Sequence, residues 1–205
     1  MKKAFSILLL VWIPLGLFAR GSWTERFEAG VEWGYGIAFY DHYHYNYYSS
    51  DYGSRVDSRE SFITSKSIGH AYVFAGYRFT NHFSAGLKSG WIGAYEGRRM
   101  TPVMATFNYL PRGFNANGWK YFTDLGYCFA DNLPGKSTLI LRGGAGRRIM
   151  LDRKLCMDLS ASLQGVSDHP GHVYDALREQ SVPTENLLRS DCIYIAVNFS
   201  VAICF

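Results

Sequence analysis

From Ile193 to Phe205 every odd position is large and apolar, while Tyr194, Ala196, Asn198, Ser200, Ala202 and Cys204 hold the even positions. A side-chain period of two over this length predicts a β-strand with one face in an apolar phase and the other in a narrower, wetter space. The same alternation begins at Phe27, where Phe27, Ala29, Val31, Trp33, Tyr35, Ile37 and Phe39 are interleaved with Glu28, Gly30, Glu32, Gly34, Gly36 and Ala38. Carboxylates and glycines opposite a continuous apolar face form the lipid-out, lumen-in pattern of a transmembrane strand. The phase continues through Tyr43, Tyr45 and Tyr47. A strand of about 22 residues at ~3.3 Å each is roughly twice what a bilayer requires. This predicts an extracellular hairpin over 40–66, with Tyr43, Tyr45, Tyr47 and Tyr48 as surface-interaction residues, returning through Ser58 to Lys66.

Six further strands follow from the same alternation. They are Ile68 to Phe79, Phe83 to Tyr95, Pro102 to Tyr109, Trp119 to Phe129, Ser137 to Met150, and one starting at Leu155. Turn signals separate them, among them Thr80-Asn81-His82, Asn115-Ala116-Asn117-Gly118 and Asp131-Asn132-Leu133-Pro134-Gly135. Strand six is the least regular: an odd-outward phase sends Arg147 to lipid, unless a bulge near Gly143-Gly144 resets it. The stretch 110–118 is longer than the other turns at its end. A second long connection, loop 167–190, includes His172 to Gln180, where Val173 and Leu177 share one face of a short helix. Together these elements predict an all-β fold, an eight-stranded antiparallel transmembrane up-and-down β-barrel. Both long connections fall at one end, the extracellular one.

The first residues change the reading of charge. Met1-Lys2-Lys3, the apolar run Ala4 to Phe18 and Ala19-Arg20-Gly21 describe a secretory signal peptide over residues 1–21, with the barrel over 22–205. The apolar run is shorter than the ~20 residues a spanning helix needs, and it contains Pro14 and Gly16. Removing Lys2, Lys3 and Arg20 lowers the 21 basic residues to 18 against 17 acidic ones, a net charge of +1. That removes the main argument for a nucleic-acid partner. The remaining 184 of 205 residues suffice for eight strands but not for a large porin.

The even phase collects the charges Glu28, Glu32, Arg78, Lys88, Asp124, Arg142, Arg148 and Asp158. Buried charges must pair, so these predict a lumen charge network that plugs the barrel rather than an ion path. Cys128, Cys156, Cys192 and Cys204 fall on the same phase, and no spacing among them is that of a zinc or redox motif. Cys156 and Cys204 are expected near the periplasmic end of neighbouring strands, as buried thiols or as a cross-strand disulfide. Asp41-His42-Tyr43-His44 offers two imidazoles and a carboxylate, one or two ligands short of a metal site, and is read as an exposed hairpin face.

The signal peptide, the eight alternating strands, the turn from Gly76 to Ser84, the Asp124-Leu125-Gly126-Tyr127 motif and the terminal Phe205 together resemble the small outer-membrane β-barrel proteins of Gram-negative bacteria. The closest groups are the OmpX/OmpA-like eight-stranded barrels and the outer membrane protein beta-barrel domain family. The resemblance covers nearly the whole chain after the signal peptide. It implies residence in the cell outer membrane among lipids and lipopolysaccharide. It also implies that Phe205 is an assembly signal for the barrel-assembly machinery. Outer-membrane lipid A deacylases use a His and a Ser two residues apart, which draws attention to His82 and Ser84 as general base and nucleophile. That pair sits at the expected periplasmic end, away from the outer leaflet. The expectation is therefore a non-catalytic membrane-structural or surface-interaction protein with no cofactor and no metal. It would bind an extracellular protein or glycan ligand through hairpin 40–66 and loop 167–190. A deacylase-like enzyme is the first alternative and a small-solute channel the second.

Overall fold

The computed structural model describes residues 26–49, 54–93, 98–175 and 180–205. The expected signal peptide, residues 1–21, lies outside them. The strands are β1 (Phe27–Tyr48), β2 (Arg55–Arg78), β3 (Phe83–Gly93), β4 (Arg99–Tyr109), β5 (Gly118–Phe129), β6 (Thr138–Met150), β7 (Cys156–Asp168), β8 (Val173–Asp175), β9 (Gln180–Val182) and β10 (Leu187–Cys204). Strands β1 to β7 and β10 form one closed antiparallel barrel in which β1 pairs with β10. Backbone hydrogen bonds between Ala29 and Phe205, at 3.1 and 2.9 Å, finish that seam. Closure leaves no open sheet edge at the level of the apolar band, the condition for spanning a bilayer with strands.

The alternation sets the two surfaces. Trp33, Tyr35 and Ile37 of β1, Leu125 and Tyr127 of β5, and Val201 with Phe199 of β10 point outward, whereas Glu28, Glu32, Asp124, Asn198 and Cys204 are buried inside. Small residues make room for large inward ones. At Gly36 a Cβ would lie 2.0 Å from Asn198 Oδ1 and 2.7 Å from the Val197 carbonyl oxygen, so only glycine fits there.

One departure from strict alternation changes the projecting hairpin. Opposite Phe39 the ladder of β1 slips against both neighbours, between Ala38 and Tyr40. An extra residue in a strand moves every following side chain to the other face. Asp41 is consequently buried, Tyr43 packs against the apolar interior of the barrel, and Tyr47 is only 6% exposed. The exposed tyrosine row predicted at Tyr43, Tyr45 and Tyr47 is thus corrected: these rings line the inner side of the hairpin, and Tyr48 alone of the four is exposed. His42 and His44 take the other face, bonded across to Ser61 at 2.6 Å and Asp57 at 2.7 Å. Asp41 is therefore separated from both imidazoles.

Three other expectations meet the structure. The ladders of β6 run unbroken through Gly143 and Gly144, so no bulge resets the phase and Arg147 faces outward. Residues 173–175 and 180–182 pair as a small hairpin instead of the expected helix over 172–180; residues 176–179 lie outside the described set. Val173 and Val182 bury against Tyr47 and Leu187, and this contact outweighs the weak helical pattern of a short segment. The long 110–117 connection is a cover: Leu110 and Phe114 are buried at the barrel's mouth, and Gly113 takes the left-handed turn conformation at φ 87°. It shares that end with the short turns at 79–82 and 151–155, and the hairpin and the 169–186 connection rise from the other. Short turns mark the periplasmic side of such barrels.

Candidate functional site

The lumen is filled in layers. Lowest, above the Phe114 cover, Arg148 bonds the Glu28 carboxylate and donates Nε–H to Asp158 Oδ1 at 2.8 Å. Lys120 reaches Asp158 Oδ2 at 2.7 Å, and Arg78 Nε lies 3.4 Å from Glu28. The Phe114 ring lies 4.8 Å beneath the Arg78 guanidinium and 5.4 Å beneath that of Arg148, so its electron-rich face meets the two cations.

The second layer is a shared four-charge cluster. Lys88 Nζ donates to Glu32 at 2.9 Å and to Asp124 at 2.8 Å, while Arg142 Nη2 donates to Glu32 at 2.5 Å and Arg142 Nη1 lies 3.6 Å from Asp124. Ser162 accepts from Arg142 Nε at 2.8 Å and Ser200 from Nη2 at 3.1 Å. His70 Nε2 stands 3.8 Å from Glu32. Charges taken from water are tolerated when each is paired with an opposite charge, and all four are, although Asp124 Oδ1 and Arg142 Nη1 make no hydrogen bond.

Above the charges lies an apolar layer. Tyr72, Ile92, Met104, Ile140, Val166 and Tyr194 meet across the lumen, every one of them 2% exposed or less. Asp41 is buried beside this layer, opposite Tyr194, and at the outer mouth Arg98 Nε pairs with Asp168 at 2.8 Å and Asp168 also accepts from Thr138. An eight-stranded interior is of a width that side chains fill.

The structure brings the eight residues expected in the lumen network into these two clusters: Glu28, Arg78, Arg148 and Asp158 meet with Lys120 in the lower, and Glu32, Lys88, Asp124 and Arg142 meet in the upper. Lys120 itself was not singled out in the sequence, although its even position in strand five carries the signal. The His82–Ser84 pair is not assembled. Ser84 is buried in the lumen, where its Oγ accepts from Asn108 at 3.1 Å, and His82 is exposed in the turn before β3 begins. A common face required both to lie within the strand, and only Ser84 does.

Cys156 and Cys204 are directly opposed on β7 and β10, and all four cysteines are buried free thiols. With Glu28, Cys156 and Cys204 form the one grouping of metal-type donor atoms among the described residues, all within 4.8 Å. Arg148 already occupies Glu28 and lies 3.8 Å from Cys204 Sγ, so the ion-pair network takes up this donor set.

Outside, the hairpin of β1 and β2 continues beyond the barrel rim, joined by the upper part of β10. The β3 ladder on β2 stops at His70–Ile92, so residues 55–69 of β2 pair with β1 on one side and with no other described strand. Ile63 on this free edge is 90% exposed.

A closed eight-stranded antiparallel barrel, apolar outside and charged within, defines an integral outer-membrane β-barrel protein. Among solved structures the chain is similar to the outer membrane protein OprG of Pseudomonas aeruginosa, at 10% identity over 87% of this chain and 95% of that one, with a TM-score of 0.46. It is also similar to the outer membrane protease OmpT of Escherichia coli, at 7% identity over 91% and 99%, with a TM-score of 0.41. The outer membrane protein AlkL shares 11% identity over 86% and 90%, with a TM-score of 0.36. No protein-family model matches the sequence, and no curated protein does. The class rests on the barrel's own geometry.

Proposed function

We propose that this barrel is a non-catalytic surface-binding protein, anchored among outer-membrane lipids and lipopolysaccharide, that captures an extended segment of an extracellular protein. The open upper edge of β2 carries this reading. The fifteen residues 55–69, without a second neighbour among the described strands, are a template for strand addition, in which main-chain hydrogen bonds supply affinity and alternate side chains supply selectivity. Arg55, Asp57, Arg59, Glu60 and Lys66 stud this strand with both signs of charge, which discourages indiscriminate pairing and favours a partner with a matching pattern. The packed hairpin supports the same use, because Tyr45, Tyr47 and Val56 bury against Val173, Val182 and Leu187 of the neighbouring connection and stiffen the edge. The apolar layer in the lumen speaks against a solute path, and the separation of His82 from Ser84 speaks against a deacylase.

A photo-crosslinking residue at Ile63, expressed in intact cells and exposed to the extracellular milieu, tests the reading. The expected result is a protein adduct of defined mass from Ile63 and none from the membrane-facing control Leu125. Stepwise conductance in a planar bilayer, a glycan adduct in place of a protein, or altered lipid A acylation that depends on Ser84 would overturn it.

A further inference from the structure

Among the described residues Arg147 is the one charged side chain in the outward set of the membrane band. The other outward residues of its ladder row, read across five strands, are Trp33, Val201, Leu159 and Trp119. An arginine held toward hydrocarbon is costly unless its head reaches the interface or meets a counter-charge. Among the described residues Arg147 has no ion pair, and the outward positions of the band hold no carboxylate. A second copy of the chain packed band to band would therefore bring no counter-ion to it.

Its height settles which charge is in reach. Arg147 precedes the end of β6 by three residues, or about 10 Å along a strand, and the turn below it is periplasmic. A long side chain at that depth extends toward the headgroups of the periplasmic leaflet. The rim there is basic: Arg153 and Lys154 outnumber Asp152 in the turn, and Arg112 is exposed on the neighbouring connection.

Directly above Arg147 the barrel wall is hollow. Ala145 and Ala161 are cross-strand partners, flanked by Phe199 on one side and Tyr121 on the other. Small residues between aromatic ones leave an apolar groove of about 710 Å³, with Arg147 and Trp119 at one part of its lining and Tyr35 and Phe199 at another. A cation below and an acyl-sized groove above match the polarity of one lipid in the periplasmic leaflet, head down and chain up.

We propose that Arg147 and this groove form a binding site for a single anionic glycerophospholipid. The guanidinium pairs with the phosphodiester through parallel N–H···O bonds, and Trp119 offers an indole at the interface. One acyl chain lies along Ala145 and Ala161. No described carboxylate shares the outward band with Arg147, and the cations of the rim outnumber Asp152, so an anionic head is preferred to a zwitterionic one.

The test is native mass spectrometry of the purified full-length barrel, released from detergent after titration with phosphatidylglycerol or phosphatidylcholine. The wild-type protein is expected to retain one phosphatidylglycerol at least tenfold more tightly than phosphatidylcholine. Arg147→Gln should abolish that preference, and Ala145→Phe, which keeps the arginine and fills the groove, should weaken retention of both lipids. Both variants change outward side chains only, and their folding is checked by the heat-dependent mobility shift of an intact barrel. Equal retention of the two lipids by the wild type, or retention unchanged in either folded variant, overturns the site. Dimers whose formation depends on Arg147 would overturn it too.

Discussion

Arg142 Nη2 donates to Glu32 Oε1 at 2.5 Å across the centre of the barrel, joining residues 110 positions apart. The same carboxylate accepts from Lys88, so Glu32→Gln leaves Lys88 and Arg142 facing Asp124 alone. Removing one partner from a buried ionic cluster costs about 3–5 kcal/mol, because the remaining charges stay buried without compensation. Glu32→Gln should lower the unfolding free energy of the micelle-bound barrel, measured in urea, by that amount, and the midpoint falls with it. Adding Arg142→Met restores the balance between Lys88 and Asp124, and should recover at least half of the loss. A single variant that unfolds with the wild-type midpoint would contradict this account.

Phe114 closes the periplasmic mouth, 4% exposed beneath two guanidinium groups. Phe114→Ala should destabilise the barrel by about 3 kcal/mol through lost packing and lost cation–π contact. It should not create a channel, because the layer of Met104, Ile140 and Tyr194 above the charges is untouched. Planar-bilayer recording of the variant checks both halves of the argument, and single-channel steps would show that the apolar layer does not seal.

The seam is tight at Gly30, where a Cβ would stand 2.2 Å from the Ile203 carbonyl oxygen and 2.6 Å from Phe74 Cζ. The Phe74 ring can swing aside, but the Ile203 backbone belongs to the closing ladder. Gly30→Val should therefore cost about 1–3 kcal/mol by overpacking. Thermal unfolding followed by gel mobility measures it, and the comparison is Gly165→Val, where a Cβ meets nothing within 4 Å.

All four thiols are free and buried inside the barrel. Folded protein in detergent should resist a bulky maleimide at Cys128, Cys156, Cys192 and Cys204, and the boiled, unreduced protein should take up four labels. Two labels after boiling would mean that Cys156 and Cys204, opposed across β7 and β10, are joined by a disulfide.

How much of this was legible in the chain depends on what a period of two can report. Wherever a strand runs unbroken, parity alone separates lipid from lumen. It put Glu28, Arg142 and Arg148 inside, it exposed Arg147, and it marked Lys120 as inward for any reader who applied it there. Parity fails at a bulge, because an added residue is visible only against the neighbouring ladder. The slip at Phe39 is set by how β1 meets β2 and β10, and it turned Tyr43, Tyr45 and Tyr47 from the outer to the inner face.

The sequence by itself determined the class of this protein: eight amphipathic strands of membrane length, a charged inner phase and an apolar outer one, which in a bilayer have only the closed barrel open to them. Tertiary structure alone decided which charges meet. Glu28 could have been served by Arg78 or Arg148 alone, yet the inter-strand register brings both to it and gives Asp158 to Lys120 and Arg148. It also turned an overlong connection into the Phe114 cover and set Arg147 beneath the hollow of Ala145 and Ala161. Alternation acts within one strand, whereas pairing across the lumen and grooves on the wall depend on stagger between strands far apart in the chain.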